Sequence, residues 1–205
     1  MWLYVYFIIF DTISLLNRGK QHFADEEQCN KCFMETIKIR YYQSPCGELI
    51  LGAFKGKLCL CDWMAEKRRT MIDKRIQRLL QTEYEVTDSE VTDKAAGQLD
   101  GFFARKRTTF DIPLLMLGTY FQKAVWQELL NIPYGTTISY LKLAERLGNV
   151  KAVRAVAAAN GANPISIFVP CHRVIGNNHK LVGYGGGLAA KQMLLELESN
   201  CIDWD

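Results

Sequence analysis

The residues with the most chemical capacity lie side by side. In the stretch Ile167-Phe-Val-Pro-Cys-His-Arg-Val-Ile-Gly176, a thiol (Cys171), an imidazole (His172) and a fixed positive charge (Arg173) follow one another. A thiolate is a soft, strong nucleophile. A free thiol with a pKa of about 8.5 is only a few per cent ionised at neutral pH, so it needs a base. His172 is the base nearest in sequence, and the pair suits nucleophilic attack by sulfur. A plainer reading also holds for such a pair: a buried Cys packs as a small hydrophobe, and a lone His is hydrogen-bonded structure. Neighbours in an extended segment point to opposite faces. Cooperation between Cys171 and His172 therefore requires a turn or a bridging water.

The elements around this stretch must position it. Ile165 to Val169, interrupted by Ser166, reads as a short buried strand that stops at Pro170, which cannot donate to a sheet ladder. Asn163 precedes Pro164 and is held out of the helical region; its side chain can bond backbone and lock the turn. Upstream, Ser139 to Leu147 reads as a short helix with Ser139 as N-cap and Gly148 as its stop. The turn Gly148-Asn-Val150 leads into a second helix, Lys151 to Asn160, and the two form a helix-turn-helix. Ala152, Ala155, Ala157, Ala158 and Ala159 leave the second helix nearly smooth, which lets a partner approach its backbone. High helix propensity alone also explains the alanines. Downstream come a polar loop, Gly176 to Val182, and the glycine-rich Gly183-Tyr-Gly-Gly-Gly187. A terminal helix, Leu188 to Glu198, carries Lys191 and Glu198 among leucines.

Pro170-Cys-His-Arg-Val174 resembles the active-site signature of the O6-alkylguanine-DNA alkyltransferases, the methylated-DNA–protein-cysteine methyltransferases. Arg154-Ala-Val156, Asn160-Gly-Ala-Asn-Pro164, Gly183-Tyr184 and Gly186-Gly-Leu188 follow the family's order and spacing. The resemblance is strong from about Gly118 to Glu198, weaker from about Met34 to Leu117, and does not extend over the first thirty or so residues. It implies an α/β N-terminal domain followed by a mainly helical domain with a helix-turn-helix and the active-site cysteine.

The implied activity is DNA repair by direct reversal. An alkyl group moves from O6-alkylguanine in double-stranded DNA, or from O4-alkylthymine, to Cys171, once per protein molecule, without metal, nucleotide or flavin. By the same resemblance, His172 takes the thiol proton through a water, Glu198 orients His172, and Asn163 braces the active-site turn. Tyr140 lies near the flipped base and helps rotate the phosphate. Arg154 fills the space left by the extruded nucleotide. Asn149, Lys151, Ala152 and Ala155 face the minor groove, which is only about 6 Å wide. Pro170, Val174, Tyr184, Gly185 and Gly186 form the base pocket. Relatives often have Ser or Ala where this chain has Gly185, so a hydroxyl contact there is in doubt. Three readings compete: a damage-flagging protein without transfer, a transcription regulator and a Cys-His hydrolase. The nucleophile argues against the first; the second lacks an additional metal-thiolate domain and the third an oxyanion-hole signature.

The remaining sequence reads as support. Thr36 to Gln43 alternates, Ser44-Pro-Cys-Gly47 is a turn, and Glu48 to Phe54 and Leu58 to Trp63 continue as strands. Ala65 to Leu80 and Val91 to Ala104 read as helices, and Phe110 to Leu114 as a short strand. Lys67, Arg68, Arg69, Lys74 and Arg75 suit either a solvated helix face or a nucleic-acid patch. Residues 34–114 thus form a supporting α/β domain and 118–200 the DNA-binding, alkyl-accepting domain, with Leu114 to Thr119 as the linker and Tyr120 to Ile132 as the second domain's first helix.

The chain of 205 residues has a net charge of +3, which permits nucleic-acid binding without arguing for it. Its 7 cysteines show no disulfide-scaffold spacing, so a reducing compartment is expected: the cytoplasm, or the nucleus in a eukaryote. Cys29-x-x-Cys32 lacks a second pair for zinc. Cys59 and Cys61 are expected to face opposite ways. Met1 to Phe10 is apolar but far short of the roughly 20 residues that span a bilayer. Residues 1–33 read as an extension. A monomer is expected, with no membrane partner.

Overall fold

A computed structural model describes residues 35–65 and 67–199. The apolar run at Met1 to Phe10 and the pair Cys29 and Cys32 lie outside them.

Three strands open the described chain: β1 (Ile37–Ser44), β2 (Gly47–Phe54) and β3 (Lys57–Trp63). They pair antiparallel, and the first turn is closed by Ser44 Oγ donating to the Gly47 carbonyl at 2.6 Å. A fourth strand, β4 (Tyr84–Val86), runs parallel to β1 and completes the order β3-β2-β1-β4. It is too short to show a period in the sequence, and its burial is partial.

Helices cover both faces of the sheet. Helix α1 (Arg69–Leu80) sets Ile72 and Ile76 against Ile37, Ile39, Ile50 and Leu60. Helix α2 (Glu90–Phe103) starts with a reciprocal cap between Ser89 and Thr92 and buries Ala95, Leu99 and Phe102 on the opposite face. The expected helix from Ala65 begins only at Arg69, because residues 67–68 form a turn.

Phe110 to Leu114 is not a strand. It makes one bridge, Leu58 to Leu114, framed by Leu58 N to Pro113 O and Leu115 N to Leu58 O, each 2.8 Å. Pro113 has no N–H with which to extend it. Cys59 and Cys61 do pack in different clusters, but not through ordinary pleating, which puts residues two apart on one face. A bulge pairs Gly52 with Leu60 and Ala53 with Leu58, so Cys59 is the extra residue and the faces exchange there.

Helix α3 (Tyr120–Leu129) opens with a cap between Thr119 and Gln122 and buries Val125, Trp126 and Leu129. It ends before the expected Ile132, whose N–H closes a tight turn on the Leu129 carbonyl ahead of Pro133. Helix α4 (Tyr140–Arg146) is capped by the Ser139 hydroxyl, as expected. Gly148, at φ +75°, turns the chain into a single 3-10 turn at Val150–Ala152 and then α5 (Val153–Gly161). Helix α6 (Gly187–Glu198) closes the described chain.

A two-residue parallel pair, β5 (Ile138–Ser139) with β6 (Val174–Ile175), ties the start of α4 to the residues after the cysteine. One apolar cluster runs through sheet and helices alike, joining Leu51 and Trp63 to Trp126, Ile165, Val174 and Leu194. Among the described residues no helix is long and apolar enough to cross a membrane.

Candidate active site

The segment before Cys171 is a knot of tight turns, not the strand its apolar run suggests. Cys61 of β3 holds it at two points: its N–H donates to Pro164 O at 2.9 Å, and its carbonyl accepts from Ser166 N at 2.6 Å. Phe168 N then bonds Ser166 O at 2.9 Å, which forces Ile167 to φ +72°. Such a turn is rare for a β-branched residue and costs about 1–3 kcal/mol. Complete burial of Ile165 to Val169 offsets it. Periodicity does not separate a buried strand from a buried turn. Pro170, at φ −80° and ψ 63°, makes a second tight turn with Cys171 N on Val169 O at 2.8 Å.

Cys171–Arg173 is a 3-10 turn, so the three side chains fan out about 120° apart instead of alternating. All three are buried. His172 Nε2 lies 2.8 Å from Glu198 Oε1. Arg173 donates to the same carboxylate from Nε at 2.8 Å and Nη2 at 3.0 Å, and from Nη1 to Ile132 O at 2.6 Å. Gly135 N adds a fourth donor to Glu198 at 3.2 Å. Gly135 sits at φ +72°, and a Cβ there would come within 2.9 Å of the Glu198 carbonyl oxygen.

This geometry sets the charges. Burial works to raise the Glu198 pKa, but the bonds and charges of His172 and Arg173 outweigh it and hold the carboxyl at about 2. Burial pushes the His172 imidazole down, with Glu198 opposing, so the ring favours its neutral form. With Nε2 on the carboxylate, Nδ1 is left buried without a hydrogen-bond partner among the described residues. Burial raises the Cys171 thiol, while Asn163, the Lys191 charge and Ser166 pull it back. None of the hydrogen bonds of the described residues joins Cys171 directly to His172.

Other expected residues fall around the same point. Asn163 Nδ2 donates to Val169 O at 2.9 Å and its Oδ1 accepts from Ile165 N at 3.0 Å, bracing the turn. Tyr140 Oη accepts from Asn160 Nδ2 at 3.4 Å; burial raises its pKa to about 12, with Cys171 adding to the shift. The Tyr184 ring stands edge-on to Trp63 at 5.9 Å and to His172 at 6.4 Å. Gly186 passes so close to Trp63 that a Cβ would lie 2.6 Å from the indole. Pro170 and Val174 are buried, but they and Gly186 do not line the cavity next to the thiol. A cavity of about 10 Å³ lies among Cys171, Asn163, Ser166, Tyr184 and Gly185. That is near the minimum for one water molecule.

Arg154, Ala155, Lys151 and Asn149 lie apart from the pocket on the exposed face of the helix-turn-helix, with Ala152 half-buried. Asn149 is also a cap, accepting from Lys151 N at 3.1 Å.

Two residues take a larger part than the sequence suggested. Arg173 shares Glu198 with His172. Lys191, fully buried, donates to Val174 O at 2.6 Å and Val182 O at 2.9 Å, clasping both ends of the 176–182 loop. Burial lowers its pKa to about 8. The signal was present: Lys191 and Glu198 are seven residues apart on one face of a leucine-rich helix. Among the described residues no three His, Cys, Asp or Glu side chains gather as a metal site.

Residues 120–200 match the DNA-binding domain of 6-O-methylguanine DNA methyltransferase. A methylated-DNA–protein-cysteine methyltransferase of Methanosarcina acetivorans is 41% identical over 160 residues, which cover 78% of this chain and 97% of that protein. The chain belongs to the methylated-DNA–protein-cysteine methyltransferases. Its Mycobacterium leprae relative is 56% identical over 107 residues, 52% of this chain and 65% of the relative. The crystal structure of Mycobacterium tuberculosis OGT in complex with DNA superposes with a TM-score of 0.68 at 41% identity, covering 79% of this chain and 92% of that one. This methyltransferase is therefore a DNA-repair enzyme with a small sheet domain followed by a helical one.

Proposed function

We propose that this methyltransferase repairs O6-alkylguanine in double-stranded DNA by moving the alkyl group onto Cys171, once per molecule. The observation that carries this reading is the orientation of His172. Glu198 holds Nε2, so the acceptor nitrogen, Nδ1, is left buried and unpartnered among the described residues, on the residue next to the nucleophile. The thiol proton passes to Nδ1 through a bridging water. Glu198, kept ionised by Arg173, stabilises the imidazolium that results. Sulfur attacks the alkyl carbon, the S–C bond forms, the C–O6 bond breaks, and the departing guanine takes a proton by way of Tyr140. The product thioether has no ready route back to a thiol, so Cys171 is consumed.

The base must come to the thiol. The cavity is far too small for a guanine, so the wall containing Tyr184 and Gly185 opens when a nucleotide enters. Arg154, exposed on α5, takes the place of the flipped nucleotide in the stack, while Ala155 and the half-buried Ala152 keep the helix smooth enough for the minor groove. Asn149 and Lys151 contact the adjoining backbone. Pro170, Val174 and Gly186 shape the pocket. The protein acts as a monomer, and O4-alkylthymine is a second substrate.

The test is to incubate the protein with a duplex carrying O6-methylguanine, digest it and weigh the peptide that contains Cys171. One methyl on Cys171, saturating at one per protein, is expected. Restored guanine with unmodified Cys171 would overturn the single-use mechanism. Tight binding without transfer would make the protein a damage-flagging one.

A further inference from the structure

The stripe of α5 that carries Arg154 does not end with the helix. Lys151, Arg154, Ala155 and Ala158 are exposed at helical spacing, and the next positions on that face are Gly161 and Ala162. There the stripe runs into a groove of about 600 Å³ between α5 and α1. Its walls carry Arg68, Lys74, Arg75 and Arg78, with Met71 and Ile72 as an apolar floor and no acidic residue among the described lining residues. Two of the cations are built into the wall. Arg68 donates to Gly161 O and Arg75 to Ala162 O, each at 2.9 Å, so both cap the carbonyl end of α5. Arg75 also stacks over Trp126 at 5.6 Å, and its Nε is buried without an acceptor among the described residues. The nearest acid on α1, Asp73, is taken up by Arg69 and Tyr84.

We infer that this groove holds the sugar-phosphate backbone of the same duplex that α5 enters, as a second, sequence-independent contact that fixes the angle of approach. The inference rests on the reading of α5 as the minor-groove helix. That helix is about 13 Å long at 1.5 Å per residue. The minor groove is only about 6 Å wide and bordered by phosphates, so the far end of the helix must cross a strand. The groove meets it there with four positive charges, and its apolar floor fits the deoxyribose between phosphates. Lys74 and Arg78, both exposed, are the side chains that reach phosphate. Arg68 and Arg75 hold the groove in shape.

The test measures binding of an unmodified duplex, too short for two protein copies, against salt. Each phosphate contact contributes about 0.9 to the slope of log K against log salt. For K74A/R78A the slope is expected to be shallower by about 1.8. The charge-conserving K74R/R78K keeps the wild-type slope, and both variants keep the wild-type thermal midpoint. An unchanged slope in K74A/R78A overturns the inference. So does a defect seen only on long duplexes that hold several copies, which would assign the groove to a neighbouring protein molecule. Failure of the transfer reading would show separately, as wild-type protein that binds DNA but leaves Cys171 unmodified.

Discussion

Arg173 grips Glu198 through two nitrogens, Nε at 2.8 Å and Nη2 at 3.0 Å, on the same carboxylate that orients His172. The acid is therefore charged before any proton moves. His172 receives a fixed counter-charge, and Arg173 is as much a part of the site as its neighbours.

Replacing Glu198 with Gln keeps the shape and removes the charge. It should slow single-turnover transfer by about 10²-fold or more, the range of a lost acid–base partner. It also leaves Arg173 buried without its counterion, which costs about 3–5 kcal/mol in the folded state. Time courses of Cys171 methylation and urea unfolding measure the two effects. Transfer within a few-fold of wild type would remove Glu198 from the mechanism.

Stability should depend on Glu198 in acid. Its folded pKa, about 2, lies below the ordinary value of 4.5. A depressed carboxyl stabilises the fold fully above its unfolded pKa and loses that contribution as pH falls toward the folded one. Unfolding free energy should therefore drop between pH 4.5 and about 2, and E198Q should show a shallower drop. Denaturant midpoints across that window are the measurement.

Lys191 makes the loop 176–182 a closed structure. Lys191→Met keeps the length of the apolar stem but removes the ammonium and leaves the carbonyls of Val174 and Val182 without their donor, at about 1–3 kcal/mol. Amide exchange around residues 176–184 should quicken while the sheet stays protected. Transfer should slow as well, because the cation that helps lower the Cys171 pKa is gone.

Arg154 is exposed and holds nothing in the protein together, so Arg154→Ala should melt like wild type. If it replaces a flipped nucleotide, its loss costs part of the few kcal/mol of flipping, about 10–100-fold in transfer from a duplex. Reaction with free O6-methylguanine base should not change. An equal loss on both substrates would place Arg154 elsewhere in the mechanism.

Much of this architecture is legible in the sequence where one residue type has one physical reason to be present. Ser139 before a periodic run and Gly148 after it mark α4, and alternation marks β1. The nucleophile stands out because Cys, His and Arg follow a proline. What stays hidden depends on partners distant in the chain. Ile165 to Val169 has the composition of a strand, and only the contact with Cys61 shows that it is folded into turns. Phe110 to Leu114 misleads because Pro113 halts a ladder the apolar residues invite. Arg173 reads as a fixed charge with no partner in view until Glu198 arrives from 25 positions away.

That last contact also orders events during synthesis. Glu198 lies 26 residues beyond His172 and 63 beyond Gly135, and Lys191 comes from the same helix. Neither Lys191, whose charge lowers the thiol pKa, nor Glu198, which orients His172, can act before α6 has emerged from the ribosome and docked. Reactivity toward DNA therefore arrives late and all at once, set by the final docking of one helix rather than by the translation of the nucleophile itself.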